Sequence, residues 1–179
     1  SYRKVRNTLR FMLSNLDDYV HAPGQARPAP TSLDAWILAG FDRLSAAVLD
    51  AYENYNFQDA QRLLYDFCND TLSATYLAAI KDRLYCDKAD SPRRRQTQAT
   101  LFHLTDGLIR LLAPLLCHTA DEALRSLYKV DNADTARCIH LETYLAPSGI
   151  AADAAWEKVF AALTPAQLAL EKAKAPVAA

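Results

Sequence analysis

Three arginines, Arg3, Arg6 and Arg10, recur at helical spacing at the start of the 179-residue chain, and no acidic residue precedes Asp17. At ~100° per residue they fall on one stripe, roughly 110° from the apolar centre formed by Val5, Leu9, Met12, Leu13 and Leu16. Guanidinium groups so placed can neutralise successive phosphates of one nucleic-acid strand, each contact releasing counterions. A solvated helix face, or one packed against a neighbouring domain, carries the same pattern. A second basic cluster lies at 81–95, where Lys81, Arg83, Lys88, Arg93, Arg94 and Arg95 face Asp82, Asp87 and Asp90 for a net of +3. Tyr85 adds a ring on which a splayed base can stack, and the backbone N–H groups after Ser91 can meet phosphate. A ring that closes the end of the core is the competing reading of Tyr85.

The arginines 93–95 cannot share one direction, since they spread over ~200° of helical wheel. Arg94 lies seven residues before Leu101, on the apolar seam, and is expected to pair with a carboxylate of the acidic 31–80 stretch such as Asp66 or Asp70. Arg93 and Arg95 flank that seam and are expected to be freer to meet phosphate. On this reading Arg93→Ala weakens binding of a nucleic acid and Arg94→Ala mainly lowers stability.

Other chemistry is poorly supported. Cys117 and His118 are adjacent, so on a helix they diverge by ~100° and do not share one tetrahedral ion; His103 and His140 are isolated. The four cysteines, Cys68, Cys86, Cys117 and Cys138, form no Cys-x-x-Cys pair and read as reduced, mostly buried thiols of a cytosolic protein. No Ser/His/Asp or Cys/His arrangement has a spacing that suits nucleophilic catalysis.

The elements that must position the basic residues are helices. Apolar residues make up 51% of the chain and Gly only 4 positions, which disfavours strand-and-turn architectures. Helices are predicted over 2–19, from Thr31 or Ser32 to about Tyr55, and from Asn56 along a seam of Phe57, Ala60, Leu64, Phe67, Thr71, Ala74, Leu77 and Ile80. Ser91-Pro92 starts the next, which Pro114 ends or kinks. Thr119-Ala-Asp-Glu122 reads as a capping box opening a helix through Tyr128. Residues 152–163 form another, and Thr164-Pro-Ala-Gln167 a second capping box. Residues 138–144 are the one β-like stretch. The Pro-rich connection 21–30 separates the first two helices. The expected fold is all-α, a helical bundle, with 1–145 as the bundle and 146–179 as a C-terminal helical extension.

The total of 20 basic and 21 acidic residues gives no global field. The neutral sum conceals a polarity: +4 in the first ten residues, −5 across 31–80, +3 across 81–95. No apolar run approaches the ~18 residues of a membrane span. The chain opens on Ser1 inside a helical pattern, and a piece of a longer protein is expected.

Four segments carry a resemblance. Tyr2-Arg3-Lys4-Val5-Arg6-Asn7-Thr8-Leu9-Arg10-Phe11-Met12-Leu13-Ser14-Asn15-Leu16 resembles the opening helix of the anticodon-binding domain of class I isoleucyl-tRNA synthetases. Tyr76-Leu-Ala-Ala-Ile-Lys81-Asp82-Arg83-Leu84-Tyr85 is similar to the segment that this family places at the end of its third helix. Arg94-Arg95-Gln96-Thr97 follows, and Leu112-Ala113-Pro114-Leu115 precedes Thr119-Ala120-Asp121-Glu122, in the family's order. Valyl-, leucyl- and methionyl-tRNA synthetases share this domain; Lys-Asp-Arg-Leu-Tyr at 81–85 favours isoleucine over valine. Leu124 stands where the family usually has Trp, and His118 where it has Phe.

The resemblance implies a function: holding the anticodon stem-loop of the isoleucine tRNA, with Arg3, Arg6, Arg10, Lys81, Arg83, Tyr85, Lys88, Arg93 and Arg95 as RNA-binding residues. ATP and magnesium are implied for an absent catalytic domain, on which this chain would pack, and zinc, in some members, for a region beyond Ala179. The chain has no His-Ile-Gly-His-type or Lys-Met-Ser-Lys-Ser-type motif, and no cofactor is expected within it. A cytoplasmic monomer, inactive as a ligase by itself, is the expectation. The rival class is a helical protein–protein module whose basic segments dock an acidic partner.

Overall fold

The computed structural model describes residues 2–21, 27–131 and 137–174 and is all-α among them. The Pro-rich connection expected at 21–30 therefore falls partly outside the described residues. Seven α-helices run in order: α1 (Tyr2–Ser14), α2 (Leu33–Glu53), α3 (Phe57–Asp66), α4 (Leu77–Tyr85), α5 (Pro92–Leu112), α6 (Cys117–Tyr128) and α7 (Ala155–Lys174). A π-helical segment, Phe67–Tyr76, joins α3 to α4, and a single 3-10 turn, Ile139–Leu141, replaces the expected β-like stretch.

Local signals explain most boundaries. Ser32, in extended backbone, accepts the Ala35 N–H at 3.1 Å and starts α2. Asn56 does the same for α3 through the Asp59 N–H. Pro92 occupies the first turn of α5, where its missing N–H costs nothing. α5 ends at Leu112, two residues before Pro114. α5 is also the axis of the bundle. Leu101, Leu104, Leu108, Ile109, Leu111 and Leu112 are all buried, and α1, α2, α4 and α6 pack around it. Gly107 is required where α5 meets α2, because a Cβ there would lie 2.6 Å from the Phe41 ring.

Several expectations are corrected. α1 ends at Ser14 instead of 19; the chain then turns through three-residue hydrogen bonds, and Asp18 is drawn to α5. The third helix is interrupted by the π segment, and its seam runs through Cys68, Leu72 and Tyr76 in place of Thr71 and Ala74. Buried residues recur there every four positions: Ala60, Leu64, Cys68, Leu72, Tyr76, Ile80, Leu84. In a pure α-helix a four-residue step overshoots a full turn by about 40°, so the stripe would wind off the core. The wider π turns reverse that drift and keep the stripe inward.

The box at 119–122 does not cap. α6 starts two residues earlier, at Cys117, and Thr119 and Glu122 instead reach α1: the Tyr2 hydroxyl lies 3.0 Å from Thr119 Oγ1, and Arg6 pairs with Glu122 at 3.2 Å. Nor does the second box break α7, which runs through with Pro165 inside it. Its first turns pack, Trp156 and Phe160 lying against Trp36 of α2. Before α7, Asp42 of α2 anchors the extended chain by accepting from Ser148 N, Ser148 Oγ and Gly149 N at 2.7–3.1 Å. Gly149 suits that turn, with a φ of +64°.

Candidate nucleic-acid interface

α1 lies across the π segment, α5 and α6, and its inward side is apolar: Val5, Leu9 and Met12 are buried. One flank meets the π segment, through Lys4 to Asn69 and the Thr8 and Ser73 hydroxyls 2.9 Å apart. The other flank meets α6 through Arg6 and Tyr2. The outward ridge left between these flanks carries Arg3, Asn7, Arg10 and Ser14, all exposed. Seven residues separate Arg3 from Arg10, about 10 Å along the axis. Neither arginine has an ion pair among the described residues. Between α1 and α6 a groove of about 610 Å³ is lined by Arg6, Asn7, Arg10, Ser14, Glu122 and Ser126, among others.

The α4–α5 corner joins this ridge. Tyr85 is 64% exposed, and its ring meets Phe11 of α1 edge-on at 6.5 Å between centroids. Lys81 stands one turn before Tyr85 on α4, exposed and without an ion pair among the described residues, as is Lys88 in the following loop. The corner thus meets α1 at the exposed Tyr85 ring.

The arginines of the corner are held by carboxylates, as the sequence indicated for Arg94 alone and with a different partner. Arg83 turns inward: its Nη1 donates to Asp34 Oδ2 at 3.1 Å and reaches Thr97 Oγ1 at 3.4 Å. Asp34 is buried and also accepts the Tyr76 hydroxyl at 2.6 Å. Burial, then the Asp34 charge, pushes the Tyr76 phenol well above its usual range, so it stays a donor. Arg93 donates from Nε to Asp87 at 2.7 Å, and that guanidinium holds the Asp87 carboxyl below the usual carboxylate range. Arg94 pairs with Asp18 at 2.6 and 3.0 Å, not with Asp66 or Asp70. The reason is geometric: the turn after α1 brings Asp18 over the start of α5. Arg95 donates to the Asp18 carbonyl, and Gln98 to both Asp18 and the Asn15 carbonyl. Arg94 is the main cause of Asp18 falling to about 2.

Of the residues expected to meet RNA, then, Arg3, Arg10, Lys81, Tyr85 and Lys88 are exposed without an acidic partner among the described residues. Arg6, Arg93 and Arg95 are partnered but reach solvent. Arg83 turns toward the inner side of α4, paired with Asp34 and with its side chain 25% exposed. The cysteine expectation is corrected as well: Cys68 is buried, its thiol pushed up to about 12 by desolvation, whereas Cys86 and Cys117 are exposed. His103 is half-buried and its imidazole held below its usual value by desolvation, while His118 and His140 are exposed. Among the described residues no three His, Cys, Asp or Glu gather into a metal-holding group. No helix among them is long and apolar enough to cross a membrane.

The comparisons with known proteins agree with this architecture. Residues 34–177 match the family described as the anticodon-binding domain of tRNA ligase, and the chain belongs to that family. Among its similar relatives are several isoleucine–tRNA ligases. The chain is 42% identical to an isoleucine–tRNA ligase of Desulfotalea psychrophila over 75% of its length. It is 48% identical to that of Laribacter hongkongensis over 71%, and 36% identical to that of Carboxydothermus hydrogenoformans over 97%. The chain spans 14 to 19% of the length of these relatives. The family match begins at Asp34, after α1; the Carboxydothermus alignment takes in nearly the whole chain.

Proposed function

We propose that this chain holds the anticodon stem-loop of isoleucine tRNA while the remainder of the parent ligase attaches the amino acid. The observation that carries this reading is the exposed Tyr85 ring set against Phe11 of α1, the helix whose exposed Arg3 and Arg10 have no acidic partner among the described residues. Arg3 and Arg10 on α1 meet the backbone of one strand, Lys81 and Lys88 continue that path, and Tyr85 takes the face of an unpaired base. Phosphate contacts set position and most of the affinity; stacking selects unpaired over paired RNA. ATP and magnesium belong to the parent's catalytic portion, on which this chain packs as a single copy in the cytoplasm, and the isolated chain is inactive as a ligase.

The test is binding of the chain to the isoleucine-tRNA anticodon stem-loop across a salt series. Log K should fall linearly with log[salt], and a fully paired hairpin of equal charge should bind less tightly. A valine-tRNA stem-loop serves as the specificity control. Absence of salt-dependent RNA binding at low ionic strength would sink the reading and leave the helical docking module.

A further inference from the structure

The geometry points to Arg83 as a positioning residue for RNA, one that aims the Tyr85 ring outward by being anchored in the core. Residues two apart on an α-helix face about 200° away from each other. Arg83 lies between Lys81 and Tyr85 on α4, two positions from each. Drawing Arg83 onto Asp34 therefore turns both Lys81 and Tyr85 to the outer side. The anchor is specific. Asp34 sits at the start of α2 with its side chain only 5% exposed, takes the Tyr76 hydroxyl on one oxygen and Arg83 on the other, and Thr97 of α5 lies beside the guanidinium. Three neighbours of α4 thus fix its rotation at one point: α2, the π segment and α5. Among the described residues Tyr85 has the edge of Phe11 as its one ring neighbour, and its direction is set from the other side of its own helix, where Arg83 is anchored beside the buried Leu77, Ile80 and Leu84.

The inference rests on the reading of Tyr85 as a base-stacking residue, and a double-mutant cycle separates the two. Binding of the anticodon stem-loop is measured for the chain, for Tyr85→Ala, for Arg83→Lys and for the double variant, at a temperature where melting curves show all four folded. Tyr85→Ala should lose about tenfold in affinity. Arg83→Lys keeps the charge but replaces the forked donor with a single ammonium. It should lose several-fold in the native background, little or nothing when Tyr85 is already Ala, and leave the salt slope unchanged. Asp34→Glu, which displaces the same guanidinium by one methylene, should repeat that result and stands in if Arg83→Lys does not fold. An additive cycle overturns the positioning role and returns Arg83 to a direct contact. Lower melting temperature with unchanged affinity also overturns it, leaving a structural role. A neutral Tyr85→Ala overturns the stacking reading, and this inference with it.

Discussion

Arginines of α1 and arginines of the α4–α5 corner have the same chemistry and different surroundings. On α1, Arg3 and Arg10 stand in solvent with no carboxylate paired to them among the described residues; the helix itself contains no acid. At the corner, Arg83, Arg93, Arg94 and Arg95 each meet an aspartate, and the burial of these pairs ranges from the enclosed Asp34 to the open Asp18. The local supply of acids, not the number of cations, decides which arginines remain available to a polyanion. A paired guanidinium must give up its partner before it can bind phosphate, whereas an unpaired one only sheds water.

If that contrast is right, breaking a corner pair should affect stability first, and the deepest pair most. Asp34→Asn removes the charge opposite Arg83 and leaves a guanidinium partly enclosed, at a cost of about 3 kcal/mol in the free energy of unfolding by denaturant titration. A loss below about 1 kcal/mol would mean that Arg83 finds solvent easily, and that the corner resembles α1 more than the distances suggest.

The converse lesion is on the ridge. The double variant Arg3→Ala, Arg10→Ala should leave unfolding within about 0.5 kcal/mol of the native chain. In RNA binding it should make the plot of log K against log[salt] shallower by about 1.4, two single-strand phosphate contacts at ~0.7 each. Arg94→Ala is the matched control: a lower melting temperature and an unchanged slope.

Acid sharpens the comparison from the corner side. Asp18 has a folded value of about 2, below the 3.8 of an unpaired aspartate, so it binds protons more readily when unfolded. Its contribution is complete well above pH 3.8 and is lost as pH falls through about 2. Because its side chain is 44% exposed, solvent screening limits that contribution to about 1 kcal/mol. The difference in unfolding free energy between the native chain and Asp18→Asn should shrink over that interval. A constant difference would place the clamp's value in its hydrogen bonds, not its charge.

The helices were legible because their caps and apolar spacing are local. Ser32, Asn56 and Pro92 act within one turn of themselves, and each starts a helix where the sequence indicates. The arginine stripe of α1 was legible for the same reason. What could not be read were features that depend on tertiary reach. Arg94 was matched to acids nearer in sequence, but the turn after α1 delivers Asp18 from 76 residues away. Thr119 and Glu122 fit a capping box, yet α1 lies close enough to claim both side chains. The π segment left one trace, an apolar repeat of four sustained from Ala60 to Leu84, too long for an α-helix to keep on one face.

Glu122 offers the smallest effect and the finest discrimination. It faces Arg6 across the groove between α1 and α6, with both side chains more than half exposed, so the pair contributes little to folding and Glu122→Gln should melt like the native chain. Its effect on RNA should be opposite in sign to that of Tyr85→Ala or of the double variant Arg3→Ala, Arg10→Ala. Removing this carboxylate releases Arg6 and takes a negative charge from beside the ridge, so stem-loop affinity should rise about two- to threefold at low salt. The gain should fade as ionic strength shortens the screening length below the ~10 Å of 0.1 M salt. Fluorescence anisotropy at two salt concentrations reads both parts. An unchanged affinity at low salt would confine the RNA path to the α4 side of the ridge, where Arg3, Arg10 and Lys81 suffice, and would make Arg6 a helix-packing residue like its counterparts at the corner.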